Sequence, residues 1–342
     1  MRKLNSSSLP WPTDWAELFG AARPLILEIG FGGGTFLLHL ARQNPDANVI
    51  GLEIANRSLV RGEAAIERSR LTNVRAVHSM AETALHHLFT PASLTQIHIN
   101  FPDPWFKRKH EGRRLMQRDT LDTMVNRLAP GGTLYLATDI IDYAEMSAAL
   151  LADTPQLENT LDAAWVNAMT GRIVTKYERI AHLEGRIRYF FAYRRNAVPA
   201  PYIPVIEDLP MPHIVFHSPL ELDAVFSQFI DQDYAPDNDD TYISMMYVYR
   251  APKVILFEVF VKEPTIEQRF AFLLMERFTD DGQRKPDEYT LRLSSLGHPR
   301  TTAGVHRAAA LLSDWLLSLH SDTHVLEHKI LNYAPEKLKT GE

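Results

Sequence analysis

Short apolar runs alternate with amphipathic stretches along the first part of the chain. Pro24-Leu25-Ile26-Leu27-Glu28-Ile29-Gly30 reads as a buried strand that enters the glycine-rich turn Gly30-Phe31-Gly32-Gly33-Gly34. Beyond the turn, Phe36, Leu37, Leu40 and Ala41 recur at helical spacing until Asn44-Pro45-Asp46 ends the helix. Val49 to Ile54 predicts the next strand, an Arg- and Glu-rich helical stretch follows, and strands are expected at Val74 to His78 and Gln96 to Asn100. A helix around Asp119 to Leu128 precedes a turn at Pro130-Gly131-Gly132 and a strand over Thr133 to Ala137 that ends in Thr138-Asp139. A helix near Tyr143 to Leu151 and a closing strand rich in Tyr and Phe within Arg186 to Arg195 complete the series. The alternation predicts an α/β fold over residues 20 to 196: a doubly wound, mostly parallel, Rossmann-like sheet with helices on both faces.

The pattern changes after Ala197. Pro199, Pro201, Pro204, Pro210 and Pro212 make residues 198–212 a stiff linker. Strands are expected at His213 to His217, Tyr242 to Tyr249, Val254 to Val261 and near Tyr289 to Leu293, with helices at Leu220 to Ile230, Ile266 to Met275 and Thr302 to Leu319. Residues 213–342 are thus expected to form a separate α+β domain, and residues 1–197 the first domain. No internal repeat or low-complexity tract is evident.

Charge follows the same division. The chain of 342 residues carries a net charge of -6, but residues 1–197 hold 23 Lys+Arg against 20 Asp+Glu, whereas residues 198–342 hold 13 against 22. A polyanion is therefore expected to meet the first part, and the acidic second part reads as an accessory domain of unknown role whose charge argues against a main phosphate-binding one. The chain has no cysteine, which excludes disulfides, thiolate metal sites and a cysteine nucleophile. Residues Met1 to Trp15 lack a signal-peptide core and no apolar run is long enough to cross a membrane, so a cytoplasmic protein is expected.

The densest chemistry lies in Asn100-Phe101-Pro102-Asp103-Pro104-Trp105-Phe106-Lys107. The two prolines forbid a helix directly after the strand and leave an acid and a large aromatic side chain on a rigid turn. Lys107, Arg108, Lys109, Arg113 and Arg114 follow, so Asp103 reads as a reaction centre facing a polyanion, and Trp105 either braces the turn or supports a base. The glycine turn is a nucleotide-binding signature open to nicotinamide dinucleotides and to S-adenosylmethionine. The strand-end acid Glu28 repels a pyrophosphate and suits a ligand with a cationic sulfonium and ammonium, and the rhythm of Gly30, Gly32 and Gly34 departs from the dinucleotide spacing. Glu53, closing the second strand, is placed to accept ribose hydroxyl protons.

These motifs stand in an order that resembles the bacterial tRNA (guanine-N7-)-methyltransferase family. The resemblance covers the first 197 residues and rests on Glu28-Ile29-Gly30-Phe31-Gly32, Gly51-Leu52-Glu53-Ile54, Phe101-Pro102-Asp103-Pro104-Trp105 with Lys107, Ala137-Thr138-Asp139 and Thr175-Lys176-Tyr177-Glu178. It implies a class I methyltransferase that moves a methyl group from S-adenosylmethionine to N7 of guanine 46 in the tRNA variable loop, with tRNA as partner and no metal. By that resemblance Glu28, Gly30, Gly32, Gly34, Glu53, Met80 and Asp103 belong to the donor site, with Asp103 also catalytic. Lys107, Lys109, Arg113, Arg114, Asp139, Thr175, Lys176, Tyr177 and Glu178 correspond to tRNA-contacting positions.

One departure is Met80, where family members often carry an acid or amide against the adenine; a thioether packs on a ring but is a poor hydrogen-bond partner, and Ser79 or a backbone carbonyl is the available substitute. Alternative readings are a catalytically silent RNA-binding protein and an NAD-dependent oxidoreductase, the latter leaving the basic run without a task. Residues Arg172, Lys176, Arg179, Arg186 and Arg188 form a second cationic cluster, while Thr175 with Glu178 has capping-box spacing and Asp139 can be a helix N-cap. His324 and His328, four apart, fit one face of a helix but lack a third ligand. The sequence names no protein partner and does not fix the oligomeric state.

Overall fold

A computed structural model describes residues 4–105, 114–235 and 240–335. Contacts divide the chain into two compact units, Met1–Glu207 and Asp208–Glu342. The first begins with β1 (Leu4–Asn5), α1 (Trp15–Phe19), β2 (Leu25–Ile29), α2 (Thr35–Gln43), β3 (Asn48–Glu53), α3 (Asn56–Ser69), β4 (Val74–His78), α4 (Ala81–His87) and β5 (Leu94–Asn100). It continues through α5 (Arg118–Arg127), β6 (Leu128–Thr138), α6 (Ile141–Ala152), β7 (Leu157–Asn159), α7 (Lys176–Leu183) and β8 (Tyr189–Arg195).

These strands form one sheet of order β1-β4-β3-β2-β5-β6-β8-β7, in which the strands from β1 to β6 pair parallel and β8 pairs antiparallel with both β6 and β7. The strand order reverses between β2 and β5, so the carboxyl ends of these two strands flank the crevice where such sheets bind ligands. Every residue of β2 and β3 is buried, in keeping with the apolar residues that fill both strands apart from Glu28, Asn48 and Glu53. Helix α2 presents Phe36, Leu37, Leu40 and Ala41 to the sheet, and together with Phe31, Leu59 and Ile66 they close the core on that face.

The turn expected at Pro130-Gly131-Gly132 lies inside the strand β6. Its pairing with β5 jumps from Leu94↔Leu128 to Gln96↔Thr133, so the three residues are absorbed as an irregularity, with Gly131 at φ +82°. The proline-rich segment is held in two halves. Gln156 donates to Pro199 O (3.0 Å), Asn126 to Pro201 O (2.8 Å), and the wholly buried Arg127 to Ile203 O (3.5 Å) and Pro204 O (3.3 Å), all within the first unit. In the second unit Leu209 N donates to Thr301 O at 2.8 Å, and Arg300 pairs with Asp208.

The second unit consists of β9 (His213–His217), α8 (Leu222–Ser227), β10 (Gln232–Tyr234), β11 (Tyr242–Ala251), β12 (Val254–Glu263), β13 (Ile266–Phe278), β14 (Arg284–Leu293), α9 (Ala303–Ser318) and β15 (His324–His328). Its seven described strands pair antiparallel in the order β10-β11-β12-β13-β14-β9-β15. Leu222, Val225, Val305, Leu312 and Leu316 from α8 and α9 join the core of this sheet. Two expectations are corrected here. Ile266 to Met275 is a strand, because Ile266, Gln268 and Phe270 are buried while Glu267 and Arg269 are exposed, a period of two completed by pairing with β12 and β14. His324 and His328 lie on the strand β15 rather than a helix, and a register shift between Val325 and Glu327 separates them. Among the described residues, no helix is long and apolar enough to cross a membrane.

Candidate active site

Glu28, at the fourth position of β2, reaches the switch point while remaining only 2% exposed. Its Oε1 accepts from Asn100 Nδ2 at 3.2 Å, and its Oε2 is buried without a hydrogen-bond partner in the described structure. Burial raises its pKa to about 8, against the opposing pull of the Asn100 hydrogen bond and the Arg172 charge and with a further push from Glu53. An acid in this state suits a cationic ligand that supplies Oε2 with its missing partner.

The glycine turn beside it is shaped by backbone geometry. Gly30, Gly32 and Gly34 have φ of +74°, +59° and +81°, values that disfavour side chains, whereas Gly33 is not among the positive-φ residues. The turn is tied to the next strand, because Gly30 N and Phe31 N donate to Leu52 O at 2.8 and 3.2 Å. Glu53, at the end of β3, accepts from Gly32 N (2.9 Å) through Oε2 and from Ile54 N (3.0 Å) and Ala55 N (2.8 Å) through Oε1. It therefore fixes the turn and the start of α3 while retaining lone-pair capacity for a hydroxyl.

Met80 precedes α4 with its side chain 39% exposed, and the Ser79 hydroxyl donates to Met80 O at 2.8 Å. That hydroxyl is already engaged locally. Asp103 follows β5 on a turn in which Phe101 and Trp105 have φ of +53° and +44°, unusual for side chains of this size. Asp103 itself is exposed among the described residues. Arg114 turns toward the same loop, with Nε donating to Pro104 O at 3.0 Å and Nη2 to Trp105 O at 3.5 Å. The expected contacts Lys107, Lys109 and Arg113 lie outside the described residues.

The Thr175 to Glu178 tetrad divides into inward and outward members. Thr175 and Glu178 form a complete capping box at the start of α7, with Glu178 N to Thr175 Oγ1 at 3.2 Å and Thr175 N to Glu178 Oε2 at 3.3 Å. Lys176 and Tyr177 point outward, Tyr177 being 55% exposed. Asp139 is not the N-cap of α6, which is Ile140; it pairs instead with Arg186.

The second cationic cluster is also divided. Arg172, its side chain 9% exposed, lies against the rings of Phe36 and Phe190, with its guanidinium carbon 5.0 and 4.6 Å from their centroids. Its Nη2 donates to Asn100 Oδ1 at 2.9 Å and lies 3.6 Å from Glu178 Oε2. Asn100 and Arg172 are thus site residues that sequence reasoning missed. A neighbouring cavity of about 190 Å³ beneath residues 169–172 is lined by His98, Tyr135 and Phe36 and does not include the strand-end acids. Among the described residues, no group of three or more His, Asp or Glu side chains is placed to hold a metal ion.

The doubly wound order with its antiparallel penultimate strand, the glycine turn and the strand-end acids at the switch point define a class I methyltransferase. A family model described as "Putative methyltransferase" matches residues 22–190. The chain is 37% identical over 193 residues to a tRNA (guanine-N(7)-)-methyltransferase of Syntrophotalea carbinolica, covering 56% of this chain and 83% of the relative. A protein of the same description from Geobacter metallireducens is 36% identical over 195 residues, covering 57% of this chain and 92% of its own length. Another from Mycobacterium avium is 40% identical over 185 residues, covering 54% and 71%. The chain belongs to the tRNA (guanine-N(7)-)-methyltransferase family of enzymes.

Proposed function

We propose that this protein transfers a methyl group from S-adenosylmethionine to N7 of guanine in tRNA, at guanine 46 of the variable loop. The observation that carries this reading is the buried, half-satisfied Glu28 at the switch point, joined through Asn100 and Arg172 to the capping box from which Lys176 and Tyr177 are displayed. Glu28 Oε2 would take the cationic end of the donor, the turn at Gly30, Gly32 and Gly34 would admit it closely, and Glu53 would hold its ribose. Met80 would pack against the adenine without a strong hydrogen bond.

When bound, the donor supplies an electrophilic methyl group on a sulfonium. N7 of guanine already carries a lone pair, so the bond from N7 to carbon forms as the bond from carbon to sulfur breaks, and no general base is required. Positive charge passes to the purine, and Asp103 would orient the guanine edge and balance that charge. Asp103 is exposed among the described residues, and the bound donor and guanine would exclude water from it. Lys107, Lys109, Arg113 and Arg114 would meet the tRNA near the Asp103 turn, and Asp139 and the Thr175 to Glu178 tetrad would serve it from the side of α7. The acidic second unit has no part in this reading.

Methyl transfer to unmodified tRNA, followed by mapping of the modified base, tests the proposal. 7-Methylguanine at position 46 is expected; the same base elsewhere would overturn the site but keep the chemistry. Calorimetric titration with S-adenosylmethionine and with NAD separates the rivals, since an oxidoreductase would bind NAD and a silent RNA-binding protein neither.

A further inference from the structure

The side chain of Asn100 is held at both ends. Its Nδ2 faces the acid at the switch point and its Oδ1 faces the buried guanidinium of Arg172. The same guanidinium lies beside Glu178, whose carboxylate completes the capping box of α7. A side chain from β2, one from β5, one from the segment before α7 and one from the first turn of α7 therefore form a single continuous polar path.

We propose that Arg172 and Asn100 are positioning residues that couple occupancy of the donor site to the arrangement of the tRNA-facing start of α7. The inference rests on the functional reading above. In the path, Asn100 is oriented by Arg172, because a guanidinium has no acceptor and can engage only the amide oxygen, which turns the amide nitrogen toward Glu28. Glu28 is largely protonated at neutral pH when burial dominates, and a cation arriving at Oε2 favours its ionised form. Ionisation strengthens the bond from Asn100 Nδ2, which polarises the amide and strengthens in turn the bond from Arg172. Arg172 is pinned by Phe36 and Phe190, so this tightening is conveyed to Glu178 and the capping box rather than dissipated in motion of the cation.

The charged and titratable groups facing Glu28 are Arg172 and, from the end of β3, Glu53. Glu53 opposes ionisation of Glu28 and is itself engaged by three backbone N–H groups. Coupling between two ligands is reciprocal, so a tRNA that orders the start of α7 must raise donor-site affinity by the same factor.

The test is calorimetric binding of S-adenosylhomocysteine to the full chain, alone and with saturating unmodified tRNA, for the wild type, Arg172→Lys and Asn100→Ala. Arg172→Lys keeps the charge but loses the planar guanidinium that Phe36 and Phe190 hold with its Nη2 toward both Asn100 and Glu178, and Asn100→Ala leaves Arg172 in place, so one variant remains informative if the other folds poorly. In the wild type, tRNA should tighten S-adenosylhomocysteine binding about fivefold or more, and the factor should fall toward one in both variants. This ratio is insensitive to a uniform loss of affinity, which a merely structural role would cause. A wild-type factor of one, or equal factors in wild type and variants, overturns the coupling. A wild-type chain that binds neither S-adenosylhomocysteine nor tRNA overturns the functional reading and the coupling with it.

Discussion

The ring of Phe31 occupies the space that a side chain at Gly62 would need: a Cβ on Gly62 would lie 2.2 Å from Phe31 Cε2, and one on Gly51 2.6 Å from Phe31 Cδ1. The residue between the first two glycines of the turn is thus a wedge between β3 and α3. Gly62→Ala gains about 1 kcal/mol of helix propensity but loses about 1–3 kcal/mol to overpacking. The expected outcome is a melting temperature lowered by a few degrees, with weaker S-adenosylhomocysteine binding because Phe31 carries the turn with it. An unchanged melting curve would show that the ring moves aside freely.

Glu28 gives a pH signature of opposite sign to that of an ordinary surface acid. Its folded pKa is raised from 4.5 to about 8, so between these values the folded chain keeps a proton that the unfolded chain has released. This contribution to stability is therefore greatest below the unfolded value and declines as pH rises through the folded one. Glu28→Gln should melt like the wild type near pH 5, melt higher than the wild type near pH 8, and fail to bind S-adenosylmethionine at either. Parallel melting curves across that range would remove the raised pKa from the account.

Asp103 is exposed on a turn that other groups hold in place, so its carboxylate contributes little to folding. Asp103→Asn should melt as the wild type does, bind tRNA with near-normal affinity and lose on the order of 10²–10³-fold in turnover, the range typical of a lost charge-stabilising group. Near-normal turnover in the folded variant would rule the role out.

The sequence made the first unit legible because its strands are buried on both faces and separated by amphipathic helices, a pattern that leaves little choice of fold. Glu28 and Glu53 stood out as acids at the ends of apolar runs, and the positive φ at Gly30, Gly32 and Gly34 matches the spacing that set them apart from Gly33. Arg172 was not legible. It reads in the sequence as one member of a cationic cluster with Lys176, Arg179, Arg186 and Arg188, and its enclosure depends on Phe36 and Phe190, the former far from it in sequence. In the second unit, the apolar run from Phe270 to Met275 shows no period of its own, and its strand character is supplied by partners on β12 and β14.

The basic residues near Asp103 should separate by role. Arg114 is bonded to carbonyls of the Asp103 turn, so Arg114→Ala should lower turnover by loosening that turn. Alanine at Lys107, Lys109 or Arg113 should instead weaken tRNA binding and flatten the dependence of log affinity on log salt by about 1 per residue if each meets a phosphate. A full salt slope in the triple variant would dismiss the phosphate contacts.

The boundary of the first unit carries an energetic prediction. Truncation after Ala197 would remove the carbonyls of Pro199, Pro201, Ile203 and Pro204, which accept from Gln156, Asn126 and the buried Arg127. Arg127 would keep Leu85 O at 2.8 Å, Asn126 Oδ1 at 2.6 Å and His86 O at 3.4 Å, but each of its Nη atoms would lose one acceptor and Asn126 Nδ2 would lose Pro201 O. Each buried donor left unmade costs about 1–3 kcal/mol. A chain ending at Glu207 should therefore melt well above one ending at Ala197, by on the order of ten degrees if two such groups are lost. Equal melting temperatures would mean that residues 198–207 are only a tether, and Arg127→Leu in the longer chain should reproduce the loss if the guanidinium is what holds them.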